Sequence, residues 1–121
     1  TTYSESRSSL VEGLVNKTPL RVRWAAPEVL RRGQFSAAAD VWALGVACWE
    51  VFALGDVPYG FQTERDRVAQ EVASKESNSL SLKRPKGCPE GAYKIICQCL
   101  AYGSKQRPSA SEVAAAWCSL Q

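Results

Sequence analysis

The sequence predicts a mainly helical unit packed around one apolar helix, and three observations carry that expectation. The stretch Val41 to Leu54 holds Val41, Trp42, Leu44, Val46, Cys48, Trp49, Val51, Phe52 and Leu54, with apolar residues on every side of a helical projection. A helix without a polar face belongs at the centre of a fold. Helix-start signals recur along the chain, the fullest being the capping box Ser109-x-x-Glu112. No alternating apolar and polar run of comparable strength marks a strand. With 121 residues, 45% of them hydrophobic, the chain is long enough to bury one core.

The elements follow in order. Residues 1 to about 20 are polar, with Ser and Thr surrounding Tyr3, and this composition predicts a loop. Pro27 suits the first turn of a short helix through Glu28 to Arg31, with Gly33 ending it. Ser36 is the expected N-cap of the central helix, Asp40 lies in its first turn, and Gly55 is expected to close it. A thin stripe of Val68, Ala69 and Val72 predicts a surface helix from about Thr63 to Ser74, opened by Thr63-x-x-Asp66 as a variant capping box. Lys75 to Lys86 reads as a polar connector. Pro89 begins a further helix with Tyr93, Ile96, Cys97 and Leu100 expected on one face. Ser109 opens the last helix, with Val113, Ala116, Trp117 and Leu120 on its apolar side.

Composition excludes several kinds of function. The net charge of +3 is too mild for the concentrated basic face of a nucleic-acid binder, so no nucleic-acid partner is expected. Arg21, Arg23, Arg31 and Arg32 cluster in sequence, either as a solvated patch or as an anion-facing one. Val41 to Leu54 contains Glu50 and is shorter than the ~20 residues that cross a bilayer, so no membrane segment is expected. Five cysteines, an odd number, fit no disulfide framework and read as reduced, buried thiols. Cys97 and Cys99 are too close for a zinc pair, and no histidine is present, so no metal site is expected. The absence of histidine also removes Ser-His and Cys-His nucleophiles.

Three segments together resemble the second half of a protein kinase catalytic domain. The first is Arg23-Trp24-Ala25-Ala26-Pro27-Glu28, similar to the Ala-Pro-Glu motif that closes the activation segment. The second runs from Ser36 to Tyr59, with Asp40-Val41-Trp42-x-x-Gly45 and Trp49-Glu50-Val51-Phe52-x-Leu54-Gly55-x-x-Pro58-Tyr59. The third is Cys99 with Arg107-Pro108-Ser109. Order and spacing agree with the family, Asp40 following Glu28 by 12 positions and Arg107 by 79. The tyrosine-kinase type is indicated by Val22-Arg23-Trp24, by Trp49 to Phe52 with Pro58-Tyr59, and by the lack of a Gly-Thr pair before Ala26-Pro27-Glu28. The stretch Pro85-x-Gly87-Cys88-Pro89-x-x-x-Tyr93 is similar to that of pseudokinase-like receptors of the Wnt-associated group.

The resemblance implies roles. Residues 1–22 would be the remnant of an activation loop and 23–121 the helical C-terminal lobe, within a partial kinase domain spanning 1–121. Arg21, Val22, Arg23 and Trp24 would form the platform beside a substrate tyrosine. Ala26, Pro27, Glu28, Asp40, Trp42, Gly45 and Arg107 would be structural. Glu28 and Arg107 would be buried partners, a carboxylate and a planar guanidinium that together satisfy each other's hydrogen bonds. Asp40 would accept backbone N–H groups of the catalytic loop; its alternative is an ordinary first-turn acid favoured by the helix dipole. Tyr3 would be an autophosphorylation site in the activation loop. The family carries proline at the position of Arg21, methionine at Ala25 and tryptophan at Leu100, so the shape of the platform is open.

No catalytic residue is expected within this chain. The glycine-rich loop, the strand lysine, the His-Arg-Asp base and the Asp-Phe-Gly metal ligand of the family have no counterpart here, so ATP and Mg²⁺ would belong to the parent domain. The implied partners are a protein substrate bearing tyrosine and the N-terminal kinase lobe, and the implied location is the cytoplasm or the cytoplasmic side of a receptor. An active tyrosine kinase, a pseudokinase that keeps the fold as a binding module, and a stand-alone fragment all remain open at this level.

Overall fold

The computed structural model describes residues 21–74 and 81–120. The loop expected for residues 1 to about 20, Tyr3 within it, and part of the 75–86 connector therefore lie outside the described residues. Among the described residues five α-helices follow one another: α1 (Pro27–Arg32), α2 (Ala37–Phe52), α3 (Arg65–Ala73), α4 (Glu90–Cys99) and α5 (Ala110–Ser119). Short 3-10 turns at Val22–Trp24 and Ser104–Gln106 complete them. There is no strand among the described residues.

Local chemistry sets the helix ends. Pro27 occupies the first turn of α1, where its missing N–H costs nothing. Gly33 ends α1 at φ 64°, a left-handed conformation that suits a residue without Cβ. The Ser36 hydroxyl accepts the Ala39 N–H to cap α2. In α5 the Ser109 hydroxyl accepts the Glu112 N–H while the Glu112 carboxylate accepts the Ser109 N–H, so both halves of the capping box form. Two expected caps differ. Thr63 does not cap α3: its hydroxyl donates to the Tyr59 carbonyl at 2.8 Å, and no side chain caps Glu64 at the helix start. The loop before α3 takes the threonine first.

The end of α2 also departs from expectation. Two positive-φ residues follow the helix, Leu54 at φ 57° and Gly55 at φ 86°, so the turn begins one position before the expected glycine. The Leu54 N–H reaches the Val51 carbonyl and the Gly55 N–H the Glu50 carbonyl, the pair of bonds of a Schellman turn. Leucine in this conformation costs roughly 1–2 kcal/mol.

Helix α2 divides the core. On one side Trp42, Val46 and Ala39 pack with Val22, Val29, Val68 and Val72 from the Val22–Trp24 turn, α1 and α3. On the other side Val41 meets Ile95, Cys99 and Val113 of α4 and α5. The all-round burial expected of this helix is not complete. Leu44 and Val51 are exposed, Val51 by 71%, because the described residues supply neighbours on two faces and none on the third.

The crossing of α2 and α4 depends on Gly45. A Cβ at this position would stand 2.6 Å from the Cβ of Cys99, so the two backbones approach as closely as they do only because Gly45 has none. This contact also fixes the rotation of α4: its buried face is Ala92, Ile95, Ile96 and Cys99, and Cys97, expected inside, is exposed. In α5, Leu120 is likewise exposed, whereas Trp117 stacks on Phe52 with ring centroids 6.1 Å apart. All five thiols are free, but Cys97 and Cys118 are exposed and not buried as expected. Burial pushes the Cys99 thiol up to about 11.

A Gly45→Ala substitution should lower unfolding free energy by about 1–3 kcal/mol, the usual cost of overpacking a well-filled core. Urea denaturation of the complete domain checks this, and an unchanged midpoint would show that α4 can move aside freely.

Candidate functional site

Arg107 follows the second 3-10 turn and is buried, with no exposed side-chain surface. An arginine carries five N–H donors, and a buried one leaves each needing an acceptor. All five are met here. Nη1 and Nη2 donate to the two carboxylate oxygens of Glu28 at 2.7 and 2.8 Å, forming a fork. Nη1 also donates to the Ala38 carbonyl, Nη2 to the Tyr102 carbonyl, and Nε to the Ala101 carbonyl. The face of the guanidinium lies over the Trp42 ring, 5.1 Å from its centroid. One side chain thus joins α1, the start of α2 and the loop after α4.

Burial pushes the Glu28 carboxyl upward, but the hydrogen bonds and charge of Arg107 outweigh it, and the group sits below the usual glutamate range. Asp40 lies exposed in the first turn of α2, and its carboxylate has no side-chain partner among the described residues. Ala26 and Pro27 are buried where the Val22–Trp24 turn meets α1, and Gly45 is the close-approach residue of α2. The indole N–H of Trp42 is buried with no acceptor among the described residues.

The turn Val22–Trp24 packs against α2 and α3 through Val22. Val22 is buried in the core, so it anchors the turn and does not face outward. Arg23 points inward and donates to the carbonyls of Pro58, Gly60 and Thr63 at 2.8, 3.2 and 2.5 Å. The Trp24 indole N–H donates to the Glu50 carboxylate at 2.6 Å. Arg21 remains exposed, its guanidinium 5.4 Å from the Trp24 ring centroid, within reach of a cation–π contact.

The four clustered arginines therefore form no common patch. Arg23 braces the loop after α2, Arg31 donates to the Tyr102 hydroxyl, Arg21 covers Trp24, and Arg32 is exposed. Sequence reading missed Tyr102, which accepts Arg107 at its carbonyl and donates from its hydroxyl to the Ala73 carbonyl. It also missed the Trp49 bond to the Lys83 carbonyl. No short motif signals either contact, since both partners are backbone groups distant in sequence.

A helical lobe with its Ala-Pro-Glu carboxylate locked to a distant arginine, and with the Val22–Trp24 turn braced against the loop after its central helix, has the fold of the C-terminal lobe of a protein kinase. The model of the protein tyrosine and serine/threonine kinase family matches residues 5–116, and the chain belongs to that family. It is 42% identical over 78% of its length to human inactive tyrosine-protein kinase 7, covering 8% of that protein. It is 38% identical over 73% of its length to the transforming protein Fps of avian sarcoma virus, covering 16%. Human ephrin type-A receptor 8 is 38% identical over 76% of the chain, which covers 9% of the receptor. The chain thus spans a small part of each relative, and the relatives include kinases and an inactive one.

Removing either Glu28 or Arg107 by substitution with alanine should cost about 3–5 kcal/mol by stranding the other charge, and the double substitution should cost less than the sum. Chemical denaturation of the complete domain gives both numbers; strict additivity would mean the pair is not coupled. The lowered Glu28 carboxyl fixes the sign with pH. Its folded value lies below the unfolded one of about 4.3, so the pair's stabilisation is fully present above that pH and fades as pH falls through the folded value. Glu28→Gln should flatten that acid limb of the stability profile.

Proposed function

We propose that this chain is the substrate-side lobe of a protein tyrosine kinase that transfers the ATP γ-phosphate to a tyrosine of a protein. Arg21 to Trp24 serve as the platform beside the acceptor tyrosine, within a partial domain whose residues 1–22 belong to the activation segment and 23–121 to the helical lobe. The observation that carries the reading is the bracing of this turn. Three carbonyls hold Arg23 and one carboxylate holds Trp24, so the turn is pre-organised, as a surface that positions a substrate must be.

The open groups of α2 support a neighbour from elsewhere in the full protein. Asp40 presents an unpaired carboxylate, Leu44 and Val51 present an apolar face, and the Trp42 N–H lacks an acceptor among the described residues. In the complete domain Asp40 would receive backbone N–H groups of the catalytic loop and hold it rigid. No group of three or more potential metal ligands occurs among the described residues, and the sequence has no glycine-rich phosphate loop. ATP and Mg²⁺ would bind to the rest of the parent domain, and the chain by itself should transfer no phosphate. The N-terminal lobe and a tyrosine-bearing protein are its proposed partners, in the cytoplasm or on the cytoplasmic side of a receptor. No helix among the described residues is long and apolar enough to cross a membrane.

A second reading, a pseudokinase, is favoured by the 42% identity to a relative named inactive and by Arg21 where the family carries proline. The full-length protein, given ATP, Mg²⁺ and a tyrosine-containing peptide, distinguishes the two. The kinase reading expects phosphotyrosine to form, and Arg23→Ala to raise KM for the peptide by about tenfold, the effect of losing roughly one net hydrogen bond, with a smaller change in kcat. Absence of transfer from a folded, peptide-binding protein would establish the pseudokinase.

A further inference from the structure

The loop that joins α2 to α3 carries three apolar side chains into water. Leu54 is 92% exposed, Phe61 77% and Val57 39%, and an apolar group of this kind gains by being covered. The same loop, with the segment that begins at Ser81, borders a cleft of about 540 Å³, within the roughly 300–1,000 Å³ of binding clefts. Trp49, Val57, Tyr59, Phe61 and Leu82 make its apolar wall. Phe61 therefore belongs to both features, a wall of the hollow and an exposed projection beside it.

This shape is held from within. The Trp49 indole N–H donates to the Lys83 carbonyl at 2.7 Å and so ties the two edges of the cleft together. Arg23 holds the carbonyls of Pro58 and Gly60 on either side of Tyr59. Leu54 at φ 57° and Tyr59 at φ 66° lie in the left-handed region, which non-glycine residues keep only where their surroundings hold them there. A projection and a hollow that are already formed lose little conformational freedom on binding.

Charge decides what fits. The lining holds one acid, Asp56, and one cation, Lys83. Both are exposed, and neither makes an ion pair among the described residues. Arg84, next on the segment, is turned to the Cys88 carbonyl. A cleft of one sign would select a partner of the other sign, whereas a balanced cleft selects a partner that is itself balanced. Two copies of one surface meet that condition, because two-fold symmetry sets residue i against j and j against i. Asp56 of each copy then faces Lys83 of the other, and each Phe61 has the other copy's cleft to enter.

We infer that this face is a two-fold self-association surface, in which the cleft of each copy takes Phe61 of a second copy and Asp56 pairs with Lys83 across the axis. The association does not depend on whether the domain transfers phosphate. It rests on one loop and one short segment, so it is weaker than an obligate dimer and responds to concentration.

Sedimentation velocity of the full-length protein over about 1–100 µM, where small interfaces become populated, should show a monomer–dimer equilibrium. Phe61→Ala, Asp56→Lys and Lys83→Asp all fall at exposed positions. Each should weaken dimerisation at least about tenfold without moving the melting temperature of the monomer. The two charge reversals supply the decisive comparison. An equimolar mixture of the Asp56→Lys and Lys83→Asp proteins restores both cross-pairs within mixed dimers, so it should associate nearly as tightly as the unsubstituted protein. The protein carrying both reversals should do the same. A monomer at every concentration overturns the inference, as does a dimer indifferent to all three substitutions. Charge-reversed proteins that stay monomeric when mixed overturn it as well, because the acid and the cation then do not meet across the axis.

Discussion

Much of this lobe is organised by one buried guanidinium. Arg107 has no water to solvate it, so its five donors must all be met by protein, and each acceptor that meets one is held in place in return. The acceptors come from α1, from the start of α2 and from the loop after α4. Burying an ion pair does not by itself favour folding, since desolvation consumes most of the Coulombic gain. What the pair contributes is geometry. A guanidinium fork accepts a carboxylate in one plane and one direction, and here that plane also lies over the Trp42 ring.

The effect extends through Tyr102. Its carbonyl is tied to Arg107, while its hydroxyl accepts from Arg31 at the end of α1 and donates to the last residue of α3. Arg23 performs a parallel task for the loop that joins α2 to α3. Two arginines, one buried and one partly buried, thus fasten irregular backbone whose carbonyls would otherwise need water. The grip of Arg23 on the carbonyls around Tyr59 explains how a loop with two left-handed non-glycine residues keeps a defined shape.

Helix α2 shows what the lobe leaves unfinished. Two of its faces are packed to near-complete burial, with Val46 fully enclosed, and the third carries Leu44 and Val51 in the open. Among the described residues nothing covers that face, and the Asp40 carboxylate and the Trp42 indole N–H likewise find no partner there.

The sequence by itself determined the helices and most of their ends. Pro27, Gly33, Ser36 and the Ser109–Glu112 box act through bonds within one turn of the chain, and such bonds depend on neighbours in sequence alone. It also determined the family, because the motifs around Glu28, Asp40 and Arg107 hold their spacing. Only the tertiary structure decided matters of distance and direction. The rotation of α4 followed from how closely Gly45 let Cys99 approach, which is why Cys97 turned outward. Thr63 left its expected cap for a carbonyl four residues back, and the left-handed turn after α2 began at Leu54, one residue before Gly55. The roles of Arg23, Trp49 and Tyr102 were equally hidden. Their partners are mostly backbone carbonyls brought near by folding, and a carbonyl carries no residue identity for a sequence to display.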